Sequence, residues 1–333
     1  MKIIVDDKIP YIREAIAKIT DNAVYMPGDE ITAASVKDAD ALITRTRTKC
    51  DRQLLEGSNI KFIGTVTIGF DHIDTEYCKE AGIIWKNCPG CNAGAVEQYI
   101  HAVLALLKKE KDIVLEKTCI GIVGVGNIGT RIMSLANKLK MKVLLNDPPR
   151  KDKGGKGFTD IDTIAEECDI ITFHTPLVKD GPYRTFHLAD RAFFRKLRKS
   201  PIIINTSRGE VIDTQAILEA INKNIISDAI IDVWENEPNI SLELLRKVFI
   251  GTPHIAGYSE DGKLNATAMI LKSLCEFFKT DIKTDLSLPD KERPEKEKKD
   301  ILSYYNPRDD YKSLLSHPED FEKIRSNYKL RKE

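Results

Sequence analysis

Short apolar runs recur along the chain, separated by segments with a different rhythm. Lys2–Val5, Ala41–Thr44, Phe62–Thr65, Ile120–Val123, Val143–Leu145, Ile170–Phe173, Ile202–Asn205, Ala229–Val233 and Phe249–Gly251 read as short buried strands. Between many of them the apolar positions repeat with helical spacing, as in Ile128–Leu139 and Thr214–Lys223. Strand alternating with helix predicts an α/β protein with parallel sheets covered by helices on both faces. One longer helix is predicted over Ala93–Lys109, with Ala95, Val96, Tyr99, Val103, Leu106 and Leu107 on its apolar face. Its place, just before a glycine-rich turn, suits an element that links two domains.

The pattern changes near Leu288. Pro289–Asp300 holds ten charged residues, five of each sign, and predicts a solvated linker or a fraying helix. Beyond it, Ile301–Leu330 carries Tyr304, Tyr305, Tyr311, Phe321 and Tyr328. Aromatics at that density predict docking, either on the parent domain or on a second subunit.

Composition narrows the class. A chain of 333 residues exceeds one ordinary core, so two domains and a tail are expected. Lys+Arg and Asp+Glu stand at 51 each, which argues against a nucleic-acid or anionic-membrane partner. No apolar run approaches ~20 residues, so no membrane span is expected. The opening MKIIVDDKIPY lacks the basic-then-apolar order of a secretory leader, which predicts a cytoplasmic protein. The seven cysteines, scattered and odd in number, predict reduced thiols. Cys88 and Cys91 have C-x-x-C spacing, but no thioredoxin-like helix start follows and no second Cys/His pair lies near. Neither a redox motif nor a metal site is expected there.

The chemistry begins at Gly124-x-Gly126-x-x-Gly129, which directly follows one predicted strand and opens a helix at Asn127 and Ile128. Such a motif alone is weak. Here Asp147 closes the next strand about 20 residues on, as dinucleotide sites require. Gly124 permits the tight turn, Gly126 lets the backbone approach a pyrophosphate, and Gly129 lets the helix pack on the sheet. The helix start offers free amides and a positive dipole end to phosphates. Asp147 can bond both adenosine-ribose hydroxyls and repels the additional phosphate of NADP, so NAD is the expected cofactor. Arg150, three residues on, is the one feature that favours NADP.

Three further motifs each follow a predicted strand: Asn205-Thr206-Ser207-Arg208-Gly209, then Asp232-Val233-Trp234-Glu235-Asn236-Glu237-Pro238, then Pro253-His254-Ile255-Ala256-Gly257. Ligands of open parallel sheets bind beyond the carboxyl ends of the strands, so Arg208, Glu237 and His254 can meet over one site. Taken singly, each has a plainer reading: a surface arginine, a turn glutamate before proline, a structural loop histidine. Together they suit oxidation of a hydroxy acid. His254 can act as base for the hydroxyl proton, Glu237 can favour its imidazolium form, and Arg208 can grip a carboxylate in two places.

At these residues the chain resembles the D-isomer-specific 2-hydroxyacid dehydrogenase superfamily. The segments VDDKIPY, GTVTIGFDHID, PGCNAGAVEQY, DPPR, FHTPLVKDGPYRTFHL and HIAGYSEDGK sharpen the likeness toward members that oxidise a phosphorylated four-carbon 2-hydroxy acid. The resemblance covers residues 1 to about 275. It implies two doubly wound parallel-sheet domains: a flavodoxin-like substrate domain over 1–92 and 258–280, and a Rossmann NAD domain over 93–257. Residues 281–333 then form a partial dimerisation tail of a homodimer, shorter than that of well-known members. It implies catalytic roles for Arg208, Glu237 and His254. NAD contacts fall on Asn127, Asp147, Thr175, Thr206, Ser207, Arg208, Asp232 and Gly257, and substrate contacts on Thr46, Thr67 and Tyr258. Members commonly have Ser where Thr46 stands, and the hydroxyl is kept. Two alternatives stay open: another D-2-hydroxyacid dehydrogenase, such as one acting on 3-phosphoglycerate, and an NAD-sensing binding protein of the same fold.

A phosphorylated acid needs a second anion site. Thr44-Arg45-Thr46-Arg47-Thr48-Lys49 supplies three cations and alternating hydroxyls at a strand's carboxyl end. Arg45, directly before Thr46, is the expected phosphate ligand, with Arg47 and Lys49 as alternatives and a merely solvated loop as the plainer reading.

Overall fold

In the computed structural model the described residues are 1–280 and 300–333. The charged segment from Pro289 onward, Asp300 excepted, lies outside them. The chain divides into two compact units, one holding residues 1–92 and 259–280, the other 93–258 and 300–331. No helix among the described residues is long and apolar enough to cross a membrane.

The first unit is built on β1 (Ile3–Asp6), β2 (Ala23–Met26), β3 (Ala41–Thr44), β4 (Phe62–Thr65) and β5 (Ile84–Lys86), all parallel in the order β2-β1-β3-β4-β5. This is the flavodoxin-type order, with its switch point between β1 and β3. The central strands are wholly buried; β2 and β5, at the edges, are not. These two are missing from the sequence reading. β5 has only two consecutive apolar residues, Ile84 and Trp85, whereas β2 is apolar throughout. Helix Glu260–Phe278 covers this sheet, packing Ile270, Leu271 and Leu274 into the core with Phe62.

The second unit holds β6 (Cys119–Val123), β7 (Lys142–Asn146), β8 (Ile170–Phe173), β9 (Ile202–Asn205), β10 (Asp228–Ile231) and β11 (Ile250–Gly251), again all parallel, ordered β11-β10-β9-β8-β6-β7. A bridge between Leu145 and Phe158 extends the β7 edge. Helix Ala93–Glu110 buries Tyr99, Val103, Leu106 and Leu107 in one of its cores. The register aligns the strand ends: Val123 pairs with Phe173, Phe173 with Asn205, Asn205 with Ile231, and Ile231 with Gly251. Every loop that follows therefore leaves from the same carboxyl edge.

Residues 300–331 of the tail are part of the second unit. Leu314 and Phe321 sit in one core beside Trp234 and Leu244, and Tyr305 in another beside Tyr99 and Ile255. Arg331 lies over the Tyr305 ring and donates to the carbonyls of Ala95, Ile255 and Ala256. The docking on the parent domain read from the aromatic content is seen for Tyr305, Tyr311, Phe321 and Tyr328.

Asp310 is half-buried there, accepting from the hydroxyls of Tyr305 (2.9 Å) and Tyr328 (3.3 Å). Burial raises its carboxyl from 3.8 to about 6, against the opposing pull of the Tyr305 bond and Arg331. The folded state thus favours the protonated form. That contribution to stability is full below the unfolded value and fades as pH rises through about 6. Asp310→Asn keeps an acceptor for both tyrosines. Its melting temperature should exceed that of the parent above this range and vary less with pH, which thermal unfolding across the range will check.

Candidate active site

The glycine turn after β6 meets the end of β8. At Gly124, φ is +88°, and a Cβ would lie 2.7 Å from the His174 carbonyl oxygen. At Gly129 a Cβ would collide with the Gly124 carbonyl, so the helix can pack this closely only without one. Gly126 differs: a Cβ there meets nothing within 4 Å, so the bare backbone faces open space. Gly126 also caps helix Asn127–Lys138 without a side-chain bond, leaving the first-turn amides, Ile128 among them, to a ligand. Across the switch point, the Thr175 hydroxyl is buried with no hydrogen-bond partner among the described residues. Asp147 is held against the turn, accepting from the Val125 amide (2.9 Å) and the Arg150 amide (3.0 Å). An orphaned hydroxyl, an open glycine face and a fixed carboxylate fit a dinucleotide.

Arg150, the residue that favoured NADP, is occupied. Its guanidinium donates to the Val125 carbonyl and stacks on Phe158, 5.2 Å from the ring centre. Asp147→Ala should therefore weaken NAD binding and narrow the preference over NADP, which titration with both cofactors will measure. Equal affinities in the unaltered protein would contradict the assignment.

The turn after β9 is wired by its own side chains. Asn205 donates from Nδ2 to the Arg208 carbonyl (2.9 Å) and accepts from the Ser207 hydroxyl (2.8 Å) and amide (3.1 Å). Thr206 pairs with Nδ1 of His174 at 3.3 Å, a fully buried ring whose pKa burial lowers to about 3. Gly209 then has no room for a Cβ, because the Trp234 carbonyl and the Glu235 amide lie on it. The turn carrying Arg208 is thereby packed on the loop carrying Glu237. The Arg208 guanidinium donates to the Ser207 carbonyl (2.8 Å), its only hydrogen-bond partner among the described residues.

Glu237 and His254 meet directly: Nδ1 lies 2.8 Å from Oε2. The other Glu237 oxygen accepts from the Trp234 amide at 2.9 Å. Burial pushes the Glu237 carboxyl up, but the bond and charge of His254, the Trp234 amide and Arg325 outweigh it, and the net shift is downward. A carboxylate on Nδ1 fixes the tautomer and leaves Nε2 with its lone pair. His254 adopts φ +57°, uncommon for a non-glycine residue. Asp232 holds it there: its carbonyl accepts from the His254 amide (2.7 Å), while its carboxylate accepts from Thr252 (2.6 Å), Ile255 (2.8 Å) and Ala256 (3.0 Å). Its carboxylate is turned inward, 1 % exposed, and serves the His254 loop, which continues through Gly257. Glu235, the neighbouring acid, is spent elsewhere, on His187 (2.6 Å) and the Thr214 amide (2.9 Å).

In the first unit Arg45 is not a free cation. Its Nε and Nη2 bond the two oxygens of Asp6 at 2.9 and 3.1 Å, and Asp6 is fully buried. One edge of the guanidinium and one unit of charge are thus taken. Thr46 and Arg47 are exposed on the turn after β3; Arg47 has no recorded partner among the described residues, whereas Lys49 pairs with Asp51 (3.0 Å). Thr67 donates to the Gly69 carbonyl (2.7 Å) and pairs with Thr65 (2.7 Å). Two features escaped the sequence. Asp6 ends the strand beside β3, which was a usable signal for an Arg45 partner. Arg325, which bonds the Tyr258 hydroxyl at 3.2 Å and lies 3.8 Å from Glu237, gave none.

Residues 101–256 match the family described as D-isomer specific 2-hydroxyacid dehydrogenase, NAD binding domain. Among solved structures, the chain is similar to D-lactate dehydrogenase of Aquifex aeolicus complexed with NAD and lactic acid (TM-score 0.70, 25 % identity, 85 % of this chain and 97 % of that one). It is also similar to an NAD-bound 3-phosphoglycerate dehydrogenase of Entamoeba histolytica (TM-score 0.70, 25 % identity, 87 % and 98 %). Fold, glycine turn and relatives define an NAD-dependent oxidoreductase of the 2-hydroxyacid dehydrogenase class. Over its full length the chain is 58 % identical to erythronate-4-phosphate dehydrogenase of Bacteroides thetaiotaomicron, spanning 97 % of it, and 41 % identical to that of Escherichia fergusonii, spanning 92 %. The chain belongs to the erythronate-4-phosphate dehydrogenase family.

Proposed function

We propose that the protein oxidises 4-phospho-D-erythronate at C2 to (R)-3-hydroxy-2-oxo-4-phosphooxybutanoate, in the cytoplasm, as a step toward pyridoxal 5'-phosphate. The observation that carries this reading is the His254–Glu237 pair at 2.8 Å beside a dinucleotide turn. NAD, when bound, supplies the hydride acceptor. His254 takes the C2 hydroxyl proton through Nε2 as the hydride leaves, and Glu237 stabilises the resulting imidazolium. Arg208 grips the substrate carboxylate with the guanidinium edge that Ser207 leaves free. The second unit is the NAD domain and the first the substrate domain. Thr175, Thr206, Ser207 and Gly257 complete the cofactor contacts; Thr46, Thr67 and Tyr258 touch substrate.

The phosphate falls to the turn after β3. Asp6 orients Arg45 through Nε and Nη2 and does not occupy Nη1, while Arg47 adds the charge that Asp6 cancels. Arg47→Ala and Arg45→Ala should each raise KM for 4-phosphoerythronate far more than for erythronate. Arg45→Ala should also cost about 3 kcal/mol of stability, because it strands a buried carboxylate. Equal KM effects on both substrates would remove these residues from phosphate recognition. The protein acts as a homodimer, as the resemblance implies; sedimentation equilibrium of the full chain tests this, and a monomer at working concentration would refute it. Incubation with NAD and 4-phospho-D-erythronate should yield NADH and the 2-oxo acid. Tight NADH binding without turnover would instead leave an NAD-sensing protein.

A further inference from the structure

The carboxyl-terminal arm brings a cation to the catalytic pair. Arg325 lies in the short helix Phe321–Ser326, whose Phe321 is buried in the second unit's core. That anchor fixes where the arginine can reach. Its Nη1 stands 3.8 Å from Oε2 of Glu237, the same oxygen that His254 contacts. Its Nε donates to the Tyr258 hydroxyl at 3.2 Å, and Nη1 is within 3.3 Å of Glu322. The side chain is three-quarters covered, so its charge is only partly screened. A guanidinium facing a carboxylate that already serves an imidazole does two things. It competes for the carboxylate's negative charge, and it repels the imidazolium.

We propose that Arg325 is a positioning residue of the proton relay: it weakens the hold of Glu237 on the His254 proton, so that the base is free at a lower pH than the pair alone would allow. The inference rests on the proposed roles of His254 and Glu237. The charged and titratable groups facing the pair come from several elements. Asp232, at the end of β10, interacts with His254 through its charge and favours the imidazolium. Tyr258 follows the His254 loop and is bound to Arg325. Glu322, on the arm, offsets part of the Arg325 charge. Arg331, farther along the arm, offsets part of Asp232. Only Arg325 among these reaches the oxygen that bonds the imidazole. It thereby gives an arm far from the glycine turn a role in tuning the base, and it ties the pH range of catalysis to docking of the arm.

The test is the acid limb of the kcat/KM profile for 4-phosphoerythronate. Arg325→Met should move that limb toward alkaline pH by roughly half a unit or more, because the imidazolium then keeps Glu237 to itself. Arg325→Lys keeps the charge and should leave the limb near its original place. Should Arg325→Met fail to fold, exposed Glu322→Gln gives the opposite test: an uncompensated Arg325 should move the limb toward acid. Glu237→Gln serves as the control, and should also move it toward acid. An acid shift in that control with an unmoved Arg325→Met limb overturns the inference alone. An unmoved limb in the control overturns the catalytic reading on which it rests. An Arg325→Met limb that shifts toward acid, or a Glu322→Gln limb that stays fixed, likewise contradicts the role of Arg325.

Discussion

His254→Ala should lower turnover of the hydroxy acid by roughly 10²–10⁴-fold, the range that general acid–base catalysis contributes. NAD binding should be nearly unchanged, because the glycine turn, Asp147 and Thr206 make their bonds without the His254 side chain. The loss follows from geometry. Glu237 holds Nδ1, so Nε2 is the free basic atom, and the left-handed backbone at His254 is pinned by Asp232. Without the imidazole, the hydroxyl proton has only water to go to. Glu237→Gln should give a smaller fall and move the acid limb of the pH–rate profile toward acid, since the protonated ring loses its counter-charge. Single-turnover kinetics with NADH titration separates the two effects. A His254→Ala enzyme within tenfold of the parent would remove His254 from the role of base.

The second large effect concerns the tail. A chain ended at Thr280 should lose the folded second unit, not merely a subunit contact. Leu314 and Phe321 are core residues, 0 % and 1 % exposed. Truncating one such side chain commonly costs about 3–5 kcal/mol, against a total stability of roughly 5–15 kcal/mol. The same cut strands the carbonyls of Ile255 and Ala256, which Arg331 satisfies beside the His254 loop. NADH binding and a cooperative thermal transition for this unit should both disappear. Normal NADH affinity with an unchanged melting temperature would make the tail an accessory. Sedimentation of such a truncated chain, the test that a dimerisation tail suggests, would therefore report unfolding before it reported assembly.

What the sequence made legible follows burial. Strands covered on both faces announce themselves as continuous apolar runs, and β3, β4, β8 and β9 have the predicted bounds. Edge strands β2 and β5 were missed: β5 holds only two consecutive apolar residues, and nothing in the structure explains the miss at β2. The Glu237–His254 contact was legible because both residues follow strands whose ends the register aligns. Local chemistry failed where a partner is distant in the chain. For Arg45 the one signal, Asp6 at the end of another strand, lies 39 residues away, and the two pair through one edge of the guanidinium. Likewise, the reach of Arg325 to Glu237 depends on where Phe321 docks, which no local pattern encodes. The aromatics of the tail predicted docking correctly, while composition could not choose between parent domain and partner.

The most direct measurement is kcat/KM with NAD for 4-phospho-D-erythronate beside 3-phosphoglycerate, D-lactate and unphosphorylated D-erythronate. A site built for both the phosphate and the four-carbon acid predicts that 4-phospho-D-erythronate exceeds each of the others by at least about 100-fold. Equal or faster oxidation of 3-phosphoglycerate, or tight NADH binding with no turnover of any of the four, would contradict it.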